Sequence, residues 1–153
     1  MKRSKELETL SWEHHDGLVI AARIKNDLKK EAEPVHLIPY ITDIYTNYLR
    51  HHFKQEEESF LTPLKVFPEA KELLNRMLDE HTQFAEIFAQ IDPLDSEVFK
   101  PVGRFGELLH DHIRFEERQL FPLVEKLLSP EQLSAIERYL RREHKPIPRA
   151  CKI

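Results

Sequence analysis

Apolar residues recur at steps of three and four along most of this chain, which is the spacing that collects side chains on one face of an α-helix. Prolines and polar capping residues divide the pattern into five segments. We therefore predict helices over about residues 6–30, 39–61, 68–91, 95–128 and 130–143. The first should end at the helix-breaking sequence Glu31-Ala-Glu-Pro34, and Ser129 should cap the last, with Pro130 as its first residue.

The first four predicted helices are each about 20–30 residues long and are joined by short loops, so helices adjacent in sequence should run antiparallel. This predicts an all-α fold, an up-down-up-down four-helix bundle with a short C-terminal fifth helix. The length of 153 residues suits a single domain over 1–153. We place the bundle core at about 6–128 and the appended helix at about 130–143, and we expect the tail from His144 to Ile153 to be loosely held.

Composition and charge argue against several classes of function. Charged residues make up 33% of the chain, but the formal net charge is only −4 and no basic block stands out, so nucleic-acid binding is not indicated. No apolar run approaches the roughly 18–20 residues of a membrane span. The single cysteine, Cys151, rules out an internal disulfide and a cysteine-based metal site, and a cytoplasmic location fits best. The residue in excess is histidine, with nine copies.

A short motif, His-x3-Glu-Glu, occurs once on the second and once on the fourth predicted helix, beginning at His52 and at His112. Because a helix turns by about 100° per residue, the His and the first Glu of each copy share one face. That face also carries Ile41, Tyr45 and Tyr48 in the second helix, and Phe105, Leu108, Gln119 and Leu123 in the fourth. Glu56 and Glu116 should therefore point into the core, whereas Glu117 points about 140° away from His112.

The other two long helices offer one inward histidine each. His14 shares its face of the first helix with Leu7, Leu10, Leu18, Ala21 and Leu28, and His81 shares its face of the third with Leu74, Met77, Ala85 and Phe88. His15 lies about 100° round from His14, on a mostly polar side. A single inward histidine is usually a hydrogen-bonded core residue. Four of them on four helices would arise by chance at about the few-per-cent level, so we interpret them as one cluster.

Two carboxylates buried opposite each other repel and cost several kcal/mol unless a positive charge lies between them. Four imidazoles and two carboxylates are too many ligands for one tetrahedral zinc ion. They suit two metal ions, with Glu56 and Glu116 bridging and the four histidines as terminal ligands: His14, His52, His81 and His112. Imidazole and carboxylate donors without a thiolate favour iron or manganese, although they do not exclude zinc or copper.

We expect the remaining conspicuous residues to have structural roles. The following should lie on the surface: His15, His51, His144, Glu57 and Glu58. Tyr45 and Tyr48, which share the inward face with His52, should pack in the core rather than bond to a metal-bound oxygen species.

The motifs Glu13-His14, His52-x3-Glu56, His81 and His112-x3-Glu116-Glu117 resemble those of the hemerythrin-like domain, also called the HHE cation-binding domain. The resemblance spans about residues 7–128 and follows the same order helix by helix. It implies a non-haem di-iron centre in a four-helix bundle, with two iron ions bridged by two carboxylates and an oxo or hydroxo group. Members of the family bind O₂ reversibly, sense oxygen, redox state or iron, or protect against oxidants.

This chain departs from the family pattern at two positions. Hemerythrins have a second histidine one turn after the third-helix histidine, and this chain has Ala85 there. They place the last carboxylate five residues after its histidine, which would be Glu117, whereas the helical face favours Glu116. Loss of the fifth imidazole leaves room for water, an extra carboxylate or an exogenous ligand on one iron.

The sequence therefore leads to one main hypothesis and two alternatives. The main one is a cytoplasmic di-iron protein that binds or senses O₂ or a related small oxidant. The first alternative is a di-iron enzyme that consumes peroxide or NO. The second is a mononuclear metal site in a bundle of the DinB type, which uses about three histidines and one ion.

Overall fold

The computed structural model describes residues 2–30 and 34–145, and over these ranges it contains five helices and no strand. Helix α1 is Glu8–Lys29, preceded by a 3₁₀ turn at Lys5–Leu7. Helix α2 consists of three consecutive parts: Leu37–Ile44, a π-helical turn at Tyr45–Leu49, and Arg50–Leu64. Helix α3 is Lys71–Ala89. Helix α4 joins Phe99–Phe115, a second π-helical turn at Glu116–Leu120, and Phe121–Leu127; α5 is Pro130–Glu143. Helices α1 to α4 form the bundle, and α5 packs against α2, α1 and the 3₁₀ turn. The predicted all-α bundle with a fifth helix is confirmed.

Local side-chain chemistry explains several helix ends. The predicted cap of α5 is confirmed: the Ser129 hydroxyl accepts a hydrogen bond from the Gln132 backbone N–H at 3.2 Å, and the Gln132 side chain accepts one from the Ser129 N–H at 2.9 Å. Helix α4 begins later than predicted because Asp92 and Asp95 use their carboxylates to hold turns with the backbone two residues on. The predicted break after α1, at 31–34, falls largely outside the described residues.

Helix α2 continues past its predicted end and includes Pro63. A proline near the end of a helix removes one N–H donor from the ladder. Leu64, one residue later, is fully buried in the core, and this burial offsets the lost hydrogen bond.

The buried face of α4 shifts by one residue beyond Glu116, contrary to the prediction. Gln119 is exposed and Leu123 only half-buried, whereas Leu120 and Val124 are fully buried. The π-helical turn over 116–120 holds one residue more than an α-helical turn, so every later side chain is displaced by one position around the axis.

The apolar core consists of two clusters, one towards each end of the bundle. One includes Ile24, Ile41, Phe84, Phe105 and Leu109, and the other includes Leu10, Phe60, Met77, Phe121 and Leu140. Between them lies a layer of buried polar side chains contributed by all four long helices. In the described part of the chain, no helix has both the length and the apolar character that a membrane span needs.

Candidate metal centre

All six predicted metal ligands lie in the polar layer between the two apolar clusters. His14, His52 and His81 are at most 8% exposed, and Glu56, His112 and Glu116 are fully buried. Their nitrogen and oxygen atoms form two groups, and within each group the atoms lie within 4.8 Å of one another. The first group is His14, His52, Glu56 and Glu116; the second is Glu56, His81, His112 and Glu116. Glu56 and Glu116 belong to both groups.

The Nε2 atoms of the four histidines point towards the two shared carboxylates. In the first group, His14 Nε2 lies 3.2 Å from Glu56 Oε1 and 3.1 Å from Glu116 Oε2, and His52 Nε2 lies 2.9 Å from Glu56 Oε1. In the second, His81 Nε2 lies 3.3 Å from Glu56 Oε2, and His112 Nε2 lies 3.4 Å from Glu116 Oε2. Donor atoms of this kind at this spacing can converge on cations between them.

Several of these buried atoms lack a hydrogen-bond partner among residues 2–30 and 34–145. They are both carboxylate oxygens of Glu116, Oε2 of Glu56, and Nε2 of His81 and of His112. Buried polar atoms without partners are rare because leaving water without a new bond costs free energy. Metal ions bound by the two groups would satisfy all five atoms, so this donor set fits a metal pair.

The Nδ1 atom of each of these histidines donates a hydrogen bond to a carboxylate outside the central layer. The pairs are His14 with Glu117 at 2.7 Å, His52 with Glu13 at 2.6 Å, His81 with Glu57 at 2.7 Å, and His112 with Glu80 at 2.7 Å. A hydrogen bond at Nδ1 fixes the ring orientation and leaves Nε2 to bind metal, the usual arrangement at histidine metal sites. We call these four glutamates the outer carboxylates.

Further residues hold three of the outer carboxylates. Arg3 donates to Glu117 at 2.9 Å, and Arg76 donates to Glu80 at 2.7 Å. His144 Nδ1 donates to Glu13 at 2.9 Å. The prediction that His144 is a surface residue is therefore wrong, because this contact keeps its side chain only 29% exposed.

The structure also tests the predicted burial of other residues near the site. His15 is exposed and His14 buried, as their helical positions predict. Ala85 is exposed, contrary to prediction, because the buried face of α3 is centred on Phe84 instead. The Glu57 side chain is 37% exposed, in line with a surface position, and its carboxylate also holds His81, which the sequence did not indicate.

The two shared carboxylates disfavour each other's ionisation in the absence of metal. Burial and the charge of Glu56 raise the pKa of Glu116 above its ordinary value. Burial also acts to raise the pKa of Glu56, but the charge of His52 and the adjacent imidazoles of His14, His52 and His81 hold it well below the usual range. A cation bound between the carboxylates would stabilise both negative charges.

The imidazoles supply the compensating positive charge when metal is absent. Burial acts to lower the pKa of His52, but the charge of Glu56 and the hydrogen bonds to Glu13 and Glu56 raise it to about 10. The contact of His81 Nε2 with Glu56 Oε2 at 3.3 Å and the hydrogen bond from its Nδ1 to Glu57 likewise overcome burial and raise the pKa of His81 to about 9. At neutral pH these rings therefore carry protons that an incoming metal ion would displace.

A small cavity adjoins the first donor group. Its lining includes His14 and His52 of the first group, His112 of the second, and five mostly apolar residues: Gly17, Tyr48, Phe53, Leu109 and Ile113. The centre of a water molecule can occupy about 10 Å³ of this cavity, so the cavity has room for roughly one water or a diatomic molecule. Lys145, which is exposed, also lines the cavity, so one end of it faces solvent.

Comparison with known proteins agrees with this geometry. No curated protein and no solved structure matches the chain significantly. The sequence model of the family described as the hemerythrin HHE cation-binding domain matches residues 6–124, a stretch that includes all six residues of the two donor groups. Because the match covers well over half of the sequence and follows the same helices, the chain belongs to the hemerythrin HHE cation-binding domain family.

Proposed function

We propose that this chain is a cytoplasmic non-haem di-iron protein that binds or senses O₂ or a related small oxidant. The observation that carries the proposal is the presence of two buried four-residue donor groups that share both carboxylates. A site for one ion has no need of the second pair of histidines or of two shared carboxylates. The absence of thiolate donors and the family membership favour iron over softer metals.

Each residue of the site has a defined task in this proposal. His14 and His52 would hold one iron, His81 and His112 the other, and Glu56 and Glu116 both. Two ferrous ions held in this way would supply electrons to a small oxidant. The Phe53 ring stacks on the His81 ring, with 4.2 Å between their centroids. Phe53 and the adjacent Phe84 exclude water from the second donor group.

The cavity accounts for the size of the proposed ligand. Its apolar wall of Leu109 and Ile113 admits a small uncharged molecule and offers it few hydrogen bonds. Gly17 allows Ile113 to pack closely against α1, because a Cβ atom added at Gly17 would lie 2.6 Å from Ile113 Cδ1. Tyr45 stays outside the cavity lining and packs on Phe88, with 4.4 Å between ring centroids.

Loading the metal-free protein with Fe²⁺ under anaerobic conditions tests the proposal. We expect two irons per chain and a new absorption spectrum on admission of O₂. His52→Ala and His112→Ala should lower the iron content strongly, whereas His15→Ala, which alters an exposed histidine on α1, should match the wild type. One equivalent of zinc or nickel without iron would favour the mononuclear alternative, and equal losses in all three variants would refute the ligand assignment.

One observation also favours an oxidant-consuming enzyme. The position of the fifth histidine in hemerythrins is occupied by Ala85, which has no donor atom, so one coordination position of the iron held by His81 and His112 would lack a protein ligand. An open position of that kind suits turnover of peroxide or NO. Steady consumption of either compound by the iron-loaded protein with a reductant would establish the enzyme, and a single stoichiometric reaction would exclude it.

A further inference from the structure

A chain of two hydrogen bonds connects the end of α5 to the first donor group. His144 Nδ1 donates to Glu13 Oε1 at 2.9 Å, and His52 Nδ1 donates to the other oxygen of the same carboxylate, Oε2, at 2.6 Å. Glu13 is only 6% exposed, so it has little water with which to replace either bond. The position of the His52 ring is thus tied to the position of His144.

The residues on either side of His144 also contact the surroundings of the site. His51, next to His52 on α2, donates from Nε2 to the backbone carbonyl of Glu143 at 2.6 Å. Lys145 lines the small cavity beside the first donor group. Helix α5 ends at Glu143, and the backbone of His144 is extended, with φ −54° and ψ 127°. Three consecutive residues therefore dock the end of α5 against the site.

The support of the two donor groups is asymmetric. In the second group, the outer carboxylates come from α2 and α3, and Glu80 is held by Arg76 on its own helix. In the first group, Glu13 is held from the end of α5 and Glu117 from Arg3 in the N-terminal segment. A displacement of α5 would therefore change the first group and leave the second intact.

We infer that His144 is a positioning residue of the metal centre, which holds His52 through Glu13 and couples the docking of α5 to occupation of the first donor group. The inference rests on the proposed function, since it requires metal at His52. Coupling of this kind is reciprocal: if docking of α5 strengthens metal binding, then metal binding strengthens the docking of α5 by the same factor. Loss of an outer-sphere partner of a metal-bound histidine typically weakens binding by about 10–100-fold.

The test compares the wild type with His144→Ala, His144→Asn and His15→Ala, each loaded with Fe²⁺ without oxygen. Asparagine keeps an N–H donor close to the position of Nδ1, and His15 is an exposed histidine away from this chain of bonds. We expect a chelator to remove one of the two irons about 10–100-fold faster from His144→Ala, with His144→Asn restoring slow release and His15→Ala unchanged.

The rate of amide hydrogen exchange over residues 140–145 supplies a second measurement. If His144 only stabilised the fold, iron loading would not change this rate. Iron loading should slow exchange there in the wild type and should have no effect in His144→Ala. Equal release rates and equal protection in the wild type and His144→Ala would overturn the inference while leaving the proposed function intact. A wild-type protein that takes up no iron would overturn both.

Discussion

On each of the four long helices, a glutamate next to one predicted ligand holds a histidine on the next helix of the bundle. Adjacent helical residues point about 100° apart, so a neighbour of a core-facing side chain points to the boundary with the adjacent helix. The outer carboxylates use this position in order: Glu13 of α1 holds His52 of α2, Glu57 of α2 holds His81 of α3, Glu80 of α3 holds His112 of α4, and Glu117 of α4 holds His14 of α1. The four bonds close a ring around the bundle and orient all four imidazoles.

Substitution of the neighbouring residues Glu116 and Glu117 distinguishes a metal ligand from an outer carboxylate that orients a histidine. Glu116 belongs to both donor groups, so Glu116→Gln should lower the metal content to at most about half. Glu117 reaches the donor groups only through Nδ1 of His14, so Glu117→Gln should keep the full metal content and weaken affinity by about 10–100-fold. Metal analysis after dialysis and a chelator titration measure the two quantities. The opposite ranking would mean that Glu117, as in the hemerythrin pattern, is the ligand.

Sequence reasoning identified the six residues of the two donor groups but not the ring of outer carboxylates. The inward direction of His14 or Glu56 depends only on its own helix, and one helical period is enough to predict it. The bond from His144 to Glu13 joins residues far apart in sequence, and nothing in the local pattern of either segment indicates it. A signal for the ring was present in the sequence, since an acidic residue stands beside His14, Glu56, His81 and Glu116.

At the scale of whole helices, the two π-helical turns set the limit of prediction. Each lies in a helix that carries the His-x3-Glu-Glu motif, one directly before Arg50 and the other beginning at Glu116. Such turns are inserted single residues that commonly occur at functional sites. An angle of about 100° per residue places Phe105 and His112 on the buried face correctly but fails for Gln119, because the period changes between them.

The close contact between α1 and α4 depends on glycine. A Cβ atom at Gly106 would lie 2.9 Å from Cγ2 and 3.2 Å from Cβ of Ile24, and the Cβ atom cannot move away without a shift of α1. Gly106→Ala should therefore lower the free energy of unfolding by about 1–3 kcal/mol, even though alanine favours helix formation. Urea denaturation of the metal-free protein measures this.

Gly103→Ala is the matched control on the same helix. The nearest atom to its added Cβ is Leu28 Cδ1 at 3.5 Å, an ordinary van der Waals contact. Without a clash, only the helix preference of alanine remains, so this variant should be neutral or more stable by about 0.5–1 kcal/mol. Equal effects of both substitutions would show that α1 and α4 can separate at little cost.

At the scale of the whole molecule, the polar layer is the region where the stability of the fold would depend on metal binding. It divides the apolar core in two, and its buried carboxylates need positive charge whether or not metal is present. Protons on the imidazoles fill this need in the metal-free protein, and metal ions would fill it in the loaded protein. The two forms should therefore respond differently to pH.

The folded-state pKa values of His52 and His81, about 10 and about 9, lie above the ordinary value of 6.5. Groups with a raised folded pKa stabilise the fold fully below their unfolded pKa, and that stabilisation is lost as pH rises through the folded pKa. The melting temperature of the metal-free protein should thus fall between about pH 7 and about pH 10. Bound metal ions do not titrate in this way, so the melting temperature of the loaded protein should change less. Apparent metal affinity should rise over the same interval, with protons released on binding. Thermal melts of both forms and a proton count in weak buffer measure these effects, and parallel melting curves would show that protons do not replace metal in this layer.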